Sequence, residues 1–239
     1  MKRRPEPELM DSEAQTLAYA EADFNESNSL FTEWFLAHFS ELPAAGRMAD
    51  LGCGPGDITI RLAQALEPLN VMWLEDMITG DYTPYVLPDL YREVTRSTST
   101  PIHTGEQIYL RENFKGLFEK QAVNVVGPDP ADVGGIAELK WIAEYADLHG
   151  ILMAPHGTGD GLIGLAALVQ VSATLPENYI AFEYPVGKPD WWYDIIVGLP
   201  DPIVQDSLIE VWDTPGLGVT FDVDAAKQYL REEDAGFFD

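Results

Sequence analysis

The stretch Val71-Met-Trp-Leu-Glu-Asp76 is a short apolar run that ends in two carboxylates, and its form decides the fold. A helical pattern over residues 87–95 follows it, and then a second apolar run, Pro101-Ile-His-Thr-Gly-Glu106, which also ends in a carboxylate. Short buried runs that alternate with helical patterns predict parallel strands joined by helices. Ligands of such sheets bind at the carboxyl ends of the strands, so the sequence predicts a polar site at this edge.

The alternation of strands and helices continues on both sides of this stretch. Predicted strands cover residues 47–51, 71–74, 100–104, 122–126, 151–154 and 179–182. Predicted helices cover residues 12–22, 28–39, 57–66, 87–95, 113–120, 136–148, 162–174 and 224–231. In the helix over residues 28–39, Leu30, Phe31, Trp34, Phe35 and Leu36 recur at helical spacing and predict a face that packs in the core.

The composition excludes several classes of partner. The 239 residues include 40 acidic and 14 basic side chains, and the net charge of −26 argues against nucleic acid, which needs a basic surface. Cys53 is the single cysteine, so no disulfide can form within the chain, as is typical of a reducing compartment. No apolar run approaches the roughly 18 residues that span a bilayer. The sequence therefore predicts a cytoplasmic protein that binds neither nucleic acid nor membranes.

A glycine-rich turn, Asp50-Leu-Gly-Cys-Gly-Pro-Gly56, lies between a predicted strand and a predicted helix. Glycines at such a turn let a ligand approach the amino terminus of the helix. With its context the turn resembles the first motif of class I S-adenosylmethionine-dependent methyltransferases, and the resemblance covers residues 1–66. It implies that Gly52, Gly54 and Gly56 bind S-adenosylmethionine, with Asp50 at its amino group and Glu75 at its ribose.

Five motifs further along the chain form a second pattern. They are Val71-Met-Trp-Leu-Glu-Asp76, Pro101-Ile-His-Thr-Gly-Glu106, Gly127-Pro-Asp-Pro-Ala-Asp-Val-Gly-Gly135, Met153-Ala-Pro-His156 and Asn178-Tyr-Ile-Ala-Phe-Glu183. In this order they resemble the carboxyl-terminal part of the enolase superfamily, specifically the mandelate racemase subgroup that includes acid-sugar dehydratases. The resemblance spans residues 69–239.

The two resemblances together imply the fold and the domains. They imply an α/β fold in which a helical segment and one Rossmann-like β-turn-α unit precede the last five strand units of a (β/α)8 TIM-type barrel. Residues 1–67 would form a methyltransferase-like fragment, and residues 68–239 the barrel part. Residues 185–239, which are rich in proline and aromatic side chains, would cover that barrel part.

The enolase-superfamily resemblance also implies a metal site. Removal of a proton next to a carboxylate leaves an enediolate, whose charge a divalent metal can stabilise, and Mg²⁺ prefers carboxylate oxygens. Glu75 and Glu106 would be metal ligands, with Asp76 as a competing choice for Glu75. If the β-turn-α unit takes the place of the third barrel strand, Asp50 would be a further metal ligand.

The same resemblance implies catalytic residues beside the metal. Asp129 and His156 would form a dyad in which His156 takes the α-proton or protonates a departing hydroxyl. Glu183 would hydrogen-bond the substrate, and Asp132 competes with Asp129 as the dyad partner. The other three histidines, at positions 38, 103 and 149, carry no such support, although His103 lies one strand position from the site.

The function expected from these patterns is Mg²⁺-dependent dehydration of a small acid sugar by a truncated, chimeric member of the dehydratase group. The chain lacks the Lys-x-Lys pair of the family. Its absence weakens the case for racemisation, which needs a base on each face of the substrate, more than the case for elimination. A second copy of the chain could cover the open sheet edge of an incomplete barrel. The alternatives are a methyltransferase-like protein that binds S-adenosylmethionine and a non-catalytic chimeric fragment.

Overall fold

The computed structural model describes residues 14, 17, 21–38, 56–78, 86–157, 161–185, 189 and 191–239. The predicted strand over residues 47–51 lies outside these residues, as do Asp50, Gly52 and Gly54 and most of the predicted helix over residues 12–22.

A parallel sheet forms the centre of the described chain. Its strands are hydrogen-bonded in chain order and are β1 (Leu74–Glu75), β2 (Ile102–Thr104), β3 (Val125–Val126) and β4 (Leu152–Met153). Every pairing between neighbours is parallel. Tyr179 adds one isolated parallel bridge to Met153, so the predicted strand over residues 179–182 contributes a bridge rather than a strand. The predicted parallel sheet is confirmed, with shorter strands than predicted.

Helices precede, separate and follow these strands. They are α1 (Asn25–His38), α2 (Asp57–Leu66), α3 (Pro88–Ser97), α4 (Arg111–Glu119), α5 (Ile136–Leu148) and α6 (Gly161–Ser172), with a 3-10 turn at Glu67–Leu69. The bounds of α2 and α5 agree with the sequence prediction. No helix in the described residues combines the length and the apolarity needed to cross a bilayer.

Gly56 begins α2 with a left-handed backbone, at φ 82°. This conformation favours glycine, and a Cβ atom here would lie only 2.9 Å from Leu90 Cδ1 of α3. The role that the described structure gives Gly56 is therefore a tight turn packed against α3.

The apolar face predicted for α1 does not pack in the core. Leu30, Phe31 and Trp34 are 59%, 42% and 52% exposed. The helix instead contacts α2 through polar side chains, because the Arg61 guanidinium donates to Ser29 Oγ at 2.9 Å and to Asn25 Oδ1 at 2.8 Å. The prediction was wrong here, since helical spacing identifies an apolar face but not the surface that it meets.

The main core lies between the sheet and its flanking helices. Tyr91 of α3, Phe114 and Phe118 of α4, and Ile142 of α5 are fully buried in it. Burial of such large side chains is the main favourable contribution to folding. The core holds the strands in register, and it thereby fixes the positions of the polar residues that follow them.

The last part of the chain packs on α6. Its elements are α7 (Trp192–Ile195), β5 (Ile196–Val197), β6 (Thr220–Phe221) and α8 (Val223–Ala226), with 3-10 turns at Lys227–Tyr229 and Glu232–Asp234. β5 and β6 pair in antiparallel orientation. Trp192, Ile196 and Ile203 form a second apolar cluster with Leu162 and Leu165 of α6.

The helix predicted over residues 224–231 is shorter in the structure. Asp222 begins α8 by accepting a hydrogen bond from the Ala225 N–H at 2.9 Å. After one α-helical turn and one 3-10 turn, the backbone becomes extended at Leu230, with φ −67° and ψ 143°. The amphipathic spacing did not reveal this end, because so short a helix depends on its cap and its packing.

Candidate active site

Polar side chains follow each strand of the parallel sheet at its carboxyl end. Glu75 is the last residue of β1, and Glu106, Asp129 and His156 follow β2, β3 and β4. Glu183 follows the bridge at Tyr179. Because the sheet is parallel, all these side chains lie at one edge.

The His156 ring contacts three carboxylates. Its Nδ1 lies 2.7 Å from Asp129 Oδ2, and its Nε2 lies 3.3 Å from Glu106 Oε2 and 3.4 Å from Glu183 Oε2. A carboxylate can only accept, so Nδ1 donates to Asp129. The other nitrogen therefore faces the two glutamates.

Asp129 is held in a fixed orientation behind the imidazole. Its side chain is buried, at 1% exposure, and Oδ1 accepts a hydrogen bond from the Ala131 N–H at 2.7 Å. Asp132, the alternative partner, is largely exposed, and the partial loss of water around its carboxyl together with the charge of Asp129 raises its pKa. Of the two aspartates, Asp129 is the one that orients His156 in the structure.

The charge around His156 favours its protonated form. Burial alone would lower the pKa of His156, but the hydrogen bond to Asp129 and the charges of Glu106 and Glu183 outweigh it. They raise the pKa of His156 from 6.5 to about 9. In the protein without metal, His156 is thus a cation at neutral pH.

Replacing Asp129 by Asn is expected to lower the pKa of His156 by about 1 to 3 in the metal-free protein, because an adjacent opposite charge has been removed. Since the folded-state pKa lies above 6.5, the ion pairs stabilise the fold fully below pH 6.5 and this stabilisation is lost as pH rises through 9. NMR titration of the His156 ring with a chelator present measures the change. Asp132→Asn is the control and should lower the pKa less, because Asp132 acts on His156 through its charge, whereas Asp129 also hydrogen-bonds the ring. An unchanged titration in Asp129→Asn would contradict the assignment.

A second group of oxygens lies beside this dyad. Glu75, Asp76 and Glu106 each offer one carboxylate oxygen, and these atoms lie within 4.8 Å of one another. Octahedral Mg²⁺ with bonds of about 2.1 Å places its ligands roughly 3.0 Å apart when adjacent and 4.2 Å apart when opposite. The three oxygens are the hard donors that Mg²⁺ requires, and they lie close together at one edge of the sheet.

Asp76 is hydrogen-bonded to Thr104, which in turn contacts a buried residue of the core. The Thr104 hydroxyl donates to Asp76 Oδ1 at 2.7 Å, and the buried Tyr91 hydroxyl lies 3.0 Å from Thr104 Oγ1. Asp76 has a left-handed backbone, at φ 47°. The contact with Thr104 holds Asp76 in this strained backbone conformation directly after β1. Strained conformations of this kind are common at functional sites.

Two side chains that the sequence analysis did not select lie against Glu75. The Trp73 indole N–H donates to Glu75 Oε2 at 3.1 Å, and His103 Nδ1 lies 3.0 Å from Glu75 Oε1. Burial of Glu75 would raise its pKa, but the contacts with His103 and Trp73 outweigh that effect and lower it. The parallel register, which sets His103 opposite Glu75, is the signal that could have identified His103.

Comparison with known proteins places this geometry in a family. Residues 48–226 match the family described as enolase C-terminal domain-like. The chain belongs to this family. The match begins before the glycine turn, so the segment that contains Asp50 and α2 lies within it. The enolase-superfamily resemblance is thereby confirmed.

Relatives of this enolase-family chain include dehydratases. It is 38% identical over 177 residues to the D-xylonate dehydratase of Haloferax volcanii, which covers 74% of this chain and 41% of the relative. A mandelate racemase/muconate lactonizing enzyme-like protein from Rubrobacter xylanophilus has a TM-score of 0.68 at 33% identity, over 87% of this chain and 52% of that chain. The chain spans about two fifths of the length of this curated relative.

A further solved structure contains ligands. It is an enolase from Pantoea ananatis with bound D-gluconate and Mg, at a TM-score of 0.65 and 25% identity, over 86% of this chain and 48% of that chain. The comparisons give no support to the methyltransferase resemblance of residues 1–66 or to S-adenosylmethionine as a cofactor. The domain boundary at residue 67 stays a prediction.

Proposed function

We propose that this enolase-family chain carries Mg²⁺-dependent dehydratase chemistry on a small acid sugar. The observation that carries the proposal is the arrangement of His156, whose Nδ1 is held by Asp129 while Nε2 faces Glu106 beside the oxygens of Glu75 and Asp76. The D-xylonate dehydratase relative and the D-gluconate and Mg in the Pantoea ananatis structure support the substrate class and the metal.

The residues that would hold Mg²⁺ are Glu75, Glu106 and Asp50, with Asp76 as the alternative to Glu75. When bound, the metal would supply a positive charge that stabilises the negative charge developing on the substrate carboxylate. The match over residues 48–226 supports Asp50, because Asp50 lies within it. Carboxylates on neighbouring strand ends supply the hard donors that Mg²⁺ requires.

The protein's own part in the reaction is proton transfer by His156. Its Nε2, when neutral, would take the proton from the carbon next to the substrate carboxylate, while Asp129 keeps the other ring proton on Nδ1. The same imidazole, now protonated, can give that proton to the departing hydroxyl, which leaves as water. Glu183, 3.4 Å from His156 Nε2, would hydrogen-bond the substrate next to the base. One dyad suffices for elimination.

The proposal extends to the architecture. The four parallel strands and the bridge at Tyr179 correspond in it to strands four to eight of an eight-stranded barrel. In this proposal the strand units do not close a barrel, and an open sheet edge favours pairing with another chain. A second copy of the chain is the proposed partner at that edge.

The test is an assay of the purified full chain with D-xylonate and D-gluconate, with and without Mg²⁺. We expect a 2-keto, 3-deoxy product whose formation stops on addition of a chelator and resumes on addition of Mg²⁺. D-glucose, which lacks the carboxylate, is the control substrate. If the chain neither binds Mg²⁺ at millimolar concentration nor forms product, the proposal fails, and binding of S-adenosylmethionine would then favour the methyltransferase alternative.

A further inference from the structure

The carboxylate of Glu75 lies between two ring nitrogens. Trp73 Nε1 donates to Oε2 at 3.1 Å, and His103 Nδ1 lies 3.0 Å from Oε1. Each oxygen of the carboxylate thus contacts one ring. Trp73 lies in the segment before β1, and His103 is the middle residue of β2. The Glu75 side chain remains 38% exposed, so the carboxylate can still reach a cation from the open side.

The position of His103 is fixed on every side. The residue is only 2% exposed, and its ring stacks on Trp73 with centroids 5.2 Å apart and planes at 22°. Its Nε2 lies 3.2 Å from the Ala154 carbonyl oxygen, and its buried Nδ1 faces Glu75 Oε1 at 3.0 Å. Both oxygens can only accept and a neutral imidazole has one N–H, so the tautomer protonated on Nδ1 is the one that donates to Glu75. A buried polar atom without a partner is costly, and Glu75 is the acceptor on the Nδ1 side.

Gly127 provides the space that the His103 ring occupies. A Cβ atom at position 127 would lie 2.4 Å from both Cε1 and Nε2 of His103 and 2.6 Å from the Ala154 carbonyl oxygen. Real Cβ atoms do not approach other atoms so closely, so any larger residue would displace the ring. A residue without a side chain is therefore needed at position 127 so that the His103 ring can occupy its position.

We propose that Trp73 and His103 are positioning residues that hold the Glu75 carboxylate ready for a divalent cation, in the space that Gly127 leaves. The inference rests on the proposed function, in which Glu75 is a metal ligand. Each carboxylate oxygen has two acceptor sites. Because each ring occupies only one site on one oxygen, the second site of each oxygen can still bind a cation. Holding the carboxylate in place before the cation arrives reduces the entropy lost on binding.

The rival explanation is that the two rings only fill space beside the sheet. The two explanations predict opposite orders for two substitutions of His103. Leu retains the bulk of the ring without a nitrogen, whereas Asn is smaller but retains a side-chain N–H near the position of Nδ1. A packing role favours Leu over Asn, and a positioning role favours Asn over Leu when Mg²⁺ affinity is the quantity measured.

Calorimetric titration of the full chain with Mg²⁺ tests the inference. We expect binding to weaken by about 10- to 100-fold in His103→Leu and by about 10-fold in Trp73→Phe, the range typical of residues that orient metal ligands. His103→Asn is expected to stay within about 3-fold of the unchanged protein. His149→Leu and Trp34→Phe are matched controls of the same chemistry away from the site, and their affinity should not change.

Two further variants separate the possible outcomes. Gly127→Ala should weaken Mg²⁺ binding although it alters no side chain that touches Glu75, and His103→Leu should have no further effect in a Glu75→Gln background. If the unchanged protein fails to bind Mg²⁺, the proposed function fails first. If it binds Mg²⁺ and folded Trp73→Phe and His103→Leu bind equally well, the inference is overturned. Circular dichroism checks the fold, and Trp73→Phe, which keeps an aromatic ring at a half-buried position, decides the question if His103→Leu unfolds.

Discussion

Replacing His156 by Asn is expected to lower the rate of acid-sugar dehydration by about 10³-fold, within the range that a general base contributes. The side chain is the one imidazole among the described residues that contacts both Asp129 and the glutamates of the site. Asn can retain a hydrogen bond to Asp129 but cannot take a proton. We therefore expect Mg²⁺ affinity to stay within a few-fold while proton abstraction slows by about that factor.

Exchange of the substrate α-proton with deuterium from the solvent isolates this step. The exchange, followed by NMR with D-gluconate and Mg²⁺, should be lost in His156→Asn and unchanged in His149→Asn. Exchange at the normal rate in His156→Asn would show that another group is the base. In the unchanged protein the rate should rise with pH through the pKa of His156, since the base acts in its neutral form.

Replacing Glu106 by Gln is expected to cause two losses, because Glu106 belongs to the group formed with Glu75 and Asp76 and also lies against His156 Nε2 at 3.3 Å. Mg²⁺ binding should weaken by at least about 100-fold, since even residues that only orient ligands cost 10- to 100-fold. The pKa of His156 should also fall, because one of the charges that raise it is gone. Calorimetry and NMR titration of the metal-free protein measure the two effects separately.

Glu183→Gln is the matched control for this experiment. Glu183 also lies against His156 Nε2, at 3.4 Å, but it does not belong to the group formed by Glu75, Asp76 and Glu106. The Glu183→Gln substitution should therefore lower the pKa of His156 while Mg²⁺ affinity is retained. An equal loss of Mg²⁺ affinity in the two variants would mean that the cation binds beside His156 rather than at β1 and β2.

The sequence predicted the elements that depend on local pattern. The helices at residues 57–66 and 136–148 have the predicted bounds because their apolar spacing is regular, and four of the predicted parallel strands are present. The carboxylates and the histidine could be placed at strand ends because a parallel sheet puts them there. The strand over residues 179–182 was over-predicted, since an apolar run does not determine how many residues pair with a neighbour.

The features that the sequence missed depend on contacts between distant residues. The exposure of Phe31 and Trp34 reflects a polar interface between α1 and α2 that involves Arg61. The burial of His103 depends on Trp73 before it and Gly127 after it. A histidine inside a short strand carries no sign of which ring or carboxylate it will meet, so these roles emerged only from the three-dimensional arrangement.

The space at Gly127 has a consequence for how related sequences can diverge. Because a Cβ atom at position 127 and the ring at position 103 cannot occupy the same volume, the two positions are not independent. A side chain at 127 requires both a smaller residue at 103 and a shift of the Ala154 carbonyl oxygen, because a Cβ atom would lie 2.6 Å from that oxygen whatever occupies position 103. Relatives with a residue other than glycine at 127 should consequently have a small residue at 103 and a different backbone path at 154, and an alignment of such relatives would show positions 103 and 127 changing together.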